Sequence, residues 1–229
     1  HEPVDTFYRY PLAIMDKKSE KAQAGYYTVR LKEDNILVEL TAQPHSGIHR
    51  YTFPKGKSAK LYINEGSLER SSGISVKQTD EFHLEGMLQT FAGVRFTVEF
   101  NSPVKRTQTW DDKTIRNQPE LEMTNNGGFI CDFGDLNGKP LQVKIGLSLI
   151  SQEAAKENFK TECASISFDQ MKQLAADQWN QRLSKLEVKG NEEYKTIFYT
   201  ALFHACFLPT VISDVNGNYP GLDQKVHHA

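Results

Sequence analysis

A polar loop in residues 213–223 carries the residue types that bind hydroxyl groups. It brings together Asp214, Asn216, Tyr219 and Asp223. Carboxylate and amide groups hydrogen-bond hydroxyls, and an aromatic ring supplies an apolar face. Carbohydrate sites use these groups, so the loop is a candidate carbohydrate site.

The same loop partly matches a calcium-binding loop. Asp214, Asn216 and Asn218 occupy its first three ligand positions. However, Tyr219 stands where the loop needs Gly, and Lys225 stands where it needs Glu. The segment is therefore not an EF-hand, and a tight Asx-type turn is the simpler interpretation.

Paired carboxylates are a second candidate, because glycosidic bond cleavage needs an acid and a base on opposite sides of the bond. Such pairs occur at Asp111-Asp112, at Asp132 and Asp135, and at Glu192-Glu193. The middle pair approaches a turn and the last opens a predicted helix. We expect structural roles for all of them.

The histidines are scattered and indicate no metal site. His45 and His49 lie four apart but in a turn and a strand, so they would not share a helical face. His204 falls in an apolar helix, where a core histidine is expected. The pair His227-His228 is a weak metal signal. The chain has no Gly-x-Ser-x-Gly nucleophile elbow and no glycine-rich phosphate loop.

Charge and cysteine content exclude several classes of protein. The net charge is −2 with both signs interspersed, so nucleic acid and anionic membranes are not expected partners. No apolar run reaches about 18 residues, so no membrane span is predicted. Cys131, Cys163 and Cys206 form no disulfide framework. Cys206 lies at helical spacing from Phe198 and Leu202, which predicts a buried, inert thiol.

Strands that must position these residues fill the first part of the chain. Alternating apolar and polar residues predict these strands, with a turn at 33–35 between two of them. Asn137-Gly138 predicts a hairpin, since Asn and Gly tolerate positive φ. Short strands without intervening helices predict an antiparallel β-sandwich. The predicted strands are 26–31, 36–41, 49–54, 59–64, 73–79, 82–90, 93–100, 105–110, 128–133 and 141–149.

Helices follow the strands. Ser151 is a predicted N-cap for a helix over 151–159, and Ser167 begins a capping box ahead of an amphipathic helix of roughly five turns. Asn191 can cap a third, almost wholly apolar helix that Pro209 ends. A helix apolar all round must be enclosed by other structure. We predict a β domain at 1–165, a helical linker at 166–190 and the start of a helical domain at 191–229.

Five blocks of sequence, in order, resemble segments of glycoside hydrolase family 92, the calcium-dependent exo-acting α-mannosidases. Together they cover nearly the whole chain, which makes the resemblance more specific than any single motif. The blocks are 21–31, 39–54, 143–158, 179–204 and 213–223.

This resemblance implies a mutarotase-like β-sandwich, a helical linker and the first helices of an (α/α)₆ toroid. It also implies removal of terminal α-linked mannose, with α-1,2 linkages expected, by an inverting mechanism that calcium assists. The family's catalytic acid and base and its tryptophan-aspartate motif are expected beyond residue 229, and its first strands before His1. No catalytic residue is therefore expected in these 229 residues.

The family's partners and location are expectations as well. Mannose-containing glycans and the remaining catalytic domain are the expected partners, and the calcium ligands are expected outside this chain. The resemblance implies a secreted, periplasmic or cell-surface location. The chain begins without Met and carries no leader, so we expect it to be a processed product or a piece of a longer protein, with any export signal removed. By the resemblance, Asp214, Asn216, Tyr219 and Asp223 line or support the sugar pocket.

Three other functions stay open at this stage. The chain could be a non-catalytic glycan-binding sandwich, if Trp110, Tyr62 or Tyr219 are exposed on one face. A mutarotase-like epimerase would need His45, His49 or His83 to face a carboxylate in a concave site. A structural role in bracing the helical domain is the third.

Overall fold

The computed structural model of the chain describes residues 13–64, 73–90, 93–111, 114–125, 127–207, 210–223 and 225–229, apart from the side chain of Asp111. Its helices are α1 (Gln152–Glu162), α2 (Phe168–Leu183) and α3 (Glu192–Ala205). Its strands are β1 (Met15–Gln23), β2 (Tyr26–Leu31), β3 (Ile36–Ala42), β4 (Ser46–Thr52), β5 (Ser58–Asn64), β6 (Gly73–Gln78), β7 (His83–Gln89), β8 (Val94–Phe100), β9 (Arg106–Asp111), β10 (Thr114–Arg116), β11 (Glu120–Thr124), β12 (Gly127–Asp135), β13 (Leu141–Ser148), β14 (Asn218–Pro220) and β15 (Val226–His228).

Two antiparallel sheets stack across one apolar core. In the described part of the chain, the large sheet has the strand order β1-β2-β3-β4-β13-β8-β7-β6-β11, and the small sheet has the order β10-β9-β12-β5. Phe100 from the large sheet and Phe133 from the small sheet meet edge to face, with ring centroids 5.0 Å apart. Burial of this apolar surface holds the sheets together. The predicted antiparallel sandwich is confirmed.

The turn at Asn137-Gly138 has the predicted backbone but not the predicted pairing. The φ angles of Asn137 and Gly138 are 54° and 78°, in the left-handed region. However, β12 pairs with β5 and β9, whereas β13 pairs with β4 and β8. The predicted hairpin is therefore wrong, and the turn carries the chain from one sheet to the other. Turn residues determine the local direction of the chain, but distant strands determine which partners a strand finds.

Strand β13 shows how the large sheet is covered on both faces. Leu141 and Val143 point into the core between the sheets. On the opposite face lies Gly146, against helix α1. A methyl group at Gly146 would lie 2.7 Å from the carbonyl oxygen of Ala155 and still closer to Phe159. The absence of a side chain at this position therefore lets α1 lie directly on the strand.

The three helices begin at the predicted caps. Ser151 accepts a hydrogen bond from the Ala154 N–H, and Asn191 accepts one from the Tyr194 N–H. Ser167 forms the predicted capping box. These caps satisfy N–H groups that have no partner within the helix. Helix α1 extends three residues beyond its predicted end.

Helix α2 packs on β2, β3 and β4. Its buried residues are Phe168, Met171 and Ala175, and the Arg50 guanidinium lies 4.0 Å from the centroid of the Phe168 ring. The helix ends before Leu186, whose side chain is 53% exposed, so it is shorter than predicted. The predicted domain boundaries stay a prediction.

Helix α3 is not enclosed by the described residues. None of its residues is buried, and Ile197 is 59% exposed. It contacts α2 through Trp179, whose ring centroid lies 4.5 Å from that of Phe203. The helix ends at Ala205, and Pro209 lies outside the described residues. None of the described helices is both long and apolar enough to cross a membrane.

Two predictions for this helix are wrong. His204 is exposed and is not a core residue. Cys206 is half-buried at the helix C-cap, whereas Cys131 and Cys163 are buried. Helical spacing placed Cys206 on a buried face, but no described element covers that face.

The packing of α1 on β13 predicts the effect of Gly146→Ala. The new methyl group would push α1 away from the strand, and we expect the free energy of unfolding to fall by about 1–3 kcal/mol. Urea denaturation monitored by circular dichroism measures this change. Gly190→Ala is the control, because no described atom lies within 4 Å of a methyl group there. Equal stability of the two variants would contradict the packing.

Candidate functional site

The predicted loop is anchored by a buried carboxylate. Asp214 is 5% exposed and points into the protein between β13 and α1. Its Oδ2 accepts a hydrogen bond of 2.8 Å from the Ser148 hydroxyl, and its Oδ1 accepts one of 2.7 Å from the Asn158 amide. Both oxygens are therefore taken by protein donors. Asp214 holds the loop in place and does not face solvent.

Asn158 is the central residue of this junction. It is fully buried on α1. Its Nδ2 donates to the Leu147 carbonyl and to Asp214, both at 2.7 Å, and its Oδ1 accepts from the Val215 N–H at 3.0 Å. One side chain thus connects a sandwich strand, a helix and the loop.

Asn216 and Asn218 shape the turn that follows. The Asn216 Oδ1 accepts a hydrogen bond of 3.0 Å from the Asn218 N–H, and its Nδ2 donates to Glu157. The Asn218 Oδ1 lies 3.1 Å from the His228 Nδ1. Since these oxygens and those of Asp214 already bond to protein groups, the segment does not fit a calcium site. No cluster of three or more metal-ligating His, Cys, Asp or Glu occurs in the described residues.

Tyr219 and Asp223 lie in the second half of the loop, where Tyr219 is half-buried and Asp223 is exposed. Tyr219 belongs to β14 and stacks on the His227 ring, with centroids 5.7 Å apart. Asp223 is exposed and its Oδ1 lies 2.9 Å from the His227 Nε2. This contact holds the pKa of Asp223 below its usual 3.8. A ring and an ionised carboxylate thus both contact His227, while Asp214 and the exposed Asn216 bond to other protein groups.

A histidine joins the same loop to the sandwich. His45 lies in the turn between β3 and β4, and its Nδ1 is 2.7 Å from the Glu162 Oε1. Its Nε2 is 2.6 Å from the Ser213 carbonyl oxygen. The other Glu162 oxygen accepts from the His45 N–H and the Ser46 hydroxyl. Glu162, Ser148 and Asn158 were not predicted as site residues, since their partners are distant in sequence and follow no local spacing.

Three carboxylates of the predicted pairs have protein partners. Asp132 accepts from the Ser58 hydroxyl and the Gly134 N–H, and Asp135 accepts from the Gly56 N–H. Glu192 pairs with Lys195 on α3. Asp112 and the Asp111 side chain lie outside the described residues.

The other candidate functions find little support in the geometry. Trp110 is 4% exposed, so the predicted exposed aromatic is wrong at that position, whereas Tyr62 is 37% exposed. His45 does face a carboxylate, but both its ring nitrogens are occupied. Burial lowers the pKa of His49 to about 4, and this ring bonds to Tyr51.

An open cleft of about 450 Å³ lies on the large sheet beside the start of α1. Its charged lining residues pair with their neighbours: Lys77 lies 3.6 Å from Glu120, and Glu85 lies 2.8 Å from Lys156. None of the four loop residues predicted from the sequence lines it.

Two family models match the chain in the order in which its domains occur. The glycosyl hydrolase family 92 N-terminal domain matches residues 7–148, and the catalytic domain of the same family matches residues 154–229. The chain belongs to glycosyl hydrolase family 92. The resemblance inferred from the five sequence blocks is confirmed.

Solved structures of family 92 proteins share the fold. The inverting mannosidase BT2199 from Bacteroides thetaiotaomicron VPI-5482 matches with a TM-score of 0.88 and 21% identity, over 97% of this chain and 31% of that chain. The α-mannosidase BT3965 from Bacteroides thetaiotaomicron matches with a TM-score of 0.86 and 22% identity, over 95% of this chain and 31% of that chain. The family 92 glycosyl hydrolase ccman5 matches with a TM-score of 0.87 and 24% identity, over 95% of this chain and 32% of that chain. The chain thus spans about a third of their length. Comparison with curated proteins finds no match.

The junction at Asn158 predicts a large effect of Asn158→Ala. The substitution leaves the Val215 N–H without its acceptor and removes a donor from buried Asp214. At roughly 1–3 kcal/mol for each unpaired group, the free energy of unfolding should fall by about 2–5 kcal/mol. Amide hydrogen exchange at Val215 should also become faster.

The matched control is Asn180→Ala, on the exposed surface of α2. It should change the free energy of unfolding by no more than about 0.5 kcal/mol. If both Asn variants unfold at the same urea concentration, Asn158 does not hold the junction together.

Proposed function

We propose that this chain is part of a glycoside hydrolase that removes terminal α-linked mannose from glycans. Its membership of family 92 carries the proposal. Further support comes from the structural relatives that are named mannosidases, one of which was solved in complex with mannoimidazole. In the longer enzyme, this chain contributes the β-sandwich and the first helices of the catalytic domain.

The loop residues have two roles in this proposal. Asp214 and Asn216 support the loop, because their polar groups bond to the protein. Tyr219 and Asp223 contact the sugar, because Asp223 is exposed and the half-buried Tyr219 ring lies near it, against the same His227. The ring would cover an apolar face of mannose, and the carboxylate would accept hydrogen bonds from its hydroxyls.

The chemical step belongs to groups elsewhere in the longer enzyme. An inverting glycosidase places an acid and a base about 6.5–9.5 Å apart, with room for a water between them. The carboxylates at Asp132, Glu162 and Asp214 all bond to protein donors, so we assign none of them to catalysis. Calcium would add fixed positive charge to such a site, with ligands from outside the described residues. Terminal α-1,2-linked mannose is the proposed substrate.

The exposed apolar surface at the helical end fits this arrangement. Tyr194 and Ile197 on α3 are 68% and 59% exposed, and Phe207 is 55% exposed. Further helices of the catalytic domain would cover these side chains. A secreted, periplasmic or cell-surface location is also proposed, and it rests on the family resemblance alone.

Comparing the isolated 229-residue chain with the longer protein that contains it tests this function. The longer protein should release mannose from an aryl α-mannoside, with inversion at the anomeric carbon seen by proton NMR. The isolated chain should give no turnover, because we assign it no acid and base. Circular dichroism of the isolated chain serves as the control for folding. Turnover by the folded isolated chain would overturn the assignment of catalysis to the remaining part.

Asp223→Asn in the longer protein tests the sugar contact. A hydrogen bond to a charged group contributes about 1.5–3 kcal/mol, so KM should rise by roughly tenfold or more, with little change in kcat. Steady-state kinetics with the aryl α-mannoside measures both. Asp34→Asn, in the exposed turn after β2, is the control and should leave both constants unchanged. A wild-type KM for the Asp223 variant would remove this residue from the sugar site.

A further inference from the structure

The hydrogen bonds of His45 depend on its protonation state. Its Nδ1 faces a Glu162 oxygen at 2.7 Å, and its Nε2 faces the Ser213 carbonyl oxygen at 2.6 Å. A carbonyl and an ionised carboxylate can only accept hydrogen bonds. Both ring nitrogens can therefore donate at once only when the ring is an imidazolium.

Glu162 is ionised when it holds this ring. Burial by itself would raise the pKa of Glu162, but hydrogen bonds from the His45 ring, the His45 N–H and the Ser46 hydroxyl outweigh it and bring the pKa below 4.5. The hydrogen bond to Glu162 likewise raises the pKa of His45 above 6.5, against the opposing effect of burial.

The surroundings of the ring are negative. The charged groups that act on it are Glu162 from α1 and Asp214 from the loop. Strand β4 supplies the Ser46 hydroxyl to Glu162, and β13 supplies the Leu147 N–H, which donates to the His45 carbonyl. The imidazolium is thus stabilised by two carboxylates that come from different elements.

We propose that His45 is a positioning residue that fastens the 213–223 loop to the sandwich only while its ring is protonated. The loop is then held in place in mildly acidic solution and loosens as the pH rises. The consequence for sugar binding rests on the proposed function of Tyr219 and Asp223, whereas the fastening itself does not.

The hydrogen bond to the loop is the one that deprotonation removes. A neutral imidazole keeps a single N–H, and the charged Glu162 oxygen is the stronger acceptor. The proton therefore stays on Nδ1, and Nε2 turns a lone pair toward the Ser213 carbonyl oxygen. Two acceptors at 2.6 Å repel each other, so residue 213 must move away.

The direction of the pH dependence follows from the two pKa shifts. Since the pKa of His45 is raised in the folded chain, its contribution is complete below 6.5 and is lost as the pH rises through the folded-state value. Since the pKa of Glu162 is lowered, its contribution is complete above 4.5 and is lost in more acidic solution. The loop should therefore be held most firmly between pH 4.5 and pH 6.5.

Amide hydrogen exchange of the 229-residue chain tests the proposal. The Asp214 and Gly217 amides form hydrogen bonds within the loop, and their protection should fall about ten- to hundredfold between pH 6 and pH 9, after correction for intrinsic rates. Glu162→Gln should move the midpoint of this loss to lower pH, because a neutral amide stabilises the imidazolium less. At pH 6, nitrogen NMR should show protons on both ring nitrogens of His45.

His83→Gln is the matched control. His83 is also paired with carboxylates, Asp80 and Glu99, but on an exposed surface away from the loop. This variant should keep the wild-type pH dependence. Protection that is constant from pH 6 to pH 9, or a midpoint unchanged by Glu162→Gln, would overturn the proposal.

A kinetic measurement separates this proposal from the proposed function. In the longer protein, the KM for the aryl α-mannoside should rise over the pH range in which loop protection is lost, and His83→Gln should not alter the profile. If loop protection follows the pH but KM does not, His45 still fastens the loop and the sugar contacts are wrong. If KM changes while loop protection is constant, His45 does not fasten the loop.

Discussion

The buried carboxylate of Asp214 is the interaction on which this end of the molecule depends. A charge removed from water is costly unless protein donors replace the lost hydrogen bonds. Ser148 at the end of β13 and Asn158 on α1 supply those donors. The strand end, the helix and the loop must therefore keep fixed relative positions, and Gly146 lets the helix lie close enough to the strand for this to happen.

The same requirement separates inward from outward residues in the loop. Once Asp214 points inward, the chain turns at the exposed Asn216 and at Gly217, and β14 then carries the half-buried Tyr219. His45 adds a second attachment through Ser213, and this one depends on the proton of the His45 ring. The Asp214 attachment uses the neutral donors Ser148 and Asn158 instead. A loop held by two separate contacts, of which one depends on the His45 proton, can be loosened without being released.

Local signals in the sequence were sufficient for much of the fold. Ser151, Ser167 and Asn191 cap helices as predicted, because a cap is satisfied within a few residues of itself. The alternation of apolar and polar residues located the sandwich strands, because one face of each strand packs in the apolar core. Strand β1 was missed because it is a polar edge strand that includes Lys17, Lys18 and Lys21, and its place comes from pairing with β2.

The candidate site was predicted in composition but not in arrangement. The sequence by itself determined the caps, the turn conformations, the strand pattern, the family blocks and a loop rich in hydroxyl-binding groups, since each depends on residues near one another in the chain. The tertiary structure alone decided that β12 and β13 belong to different sheets, that Asp214 is an anchor, and that His45 meets Glu162 and Ser213. Those outcomes depend on contacts between residues far apart in sequence. A buried polar group loses its hydrogen bonds to water, and no local spacing encodes which distant residue will replace them.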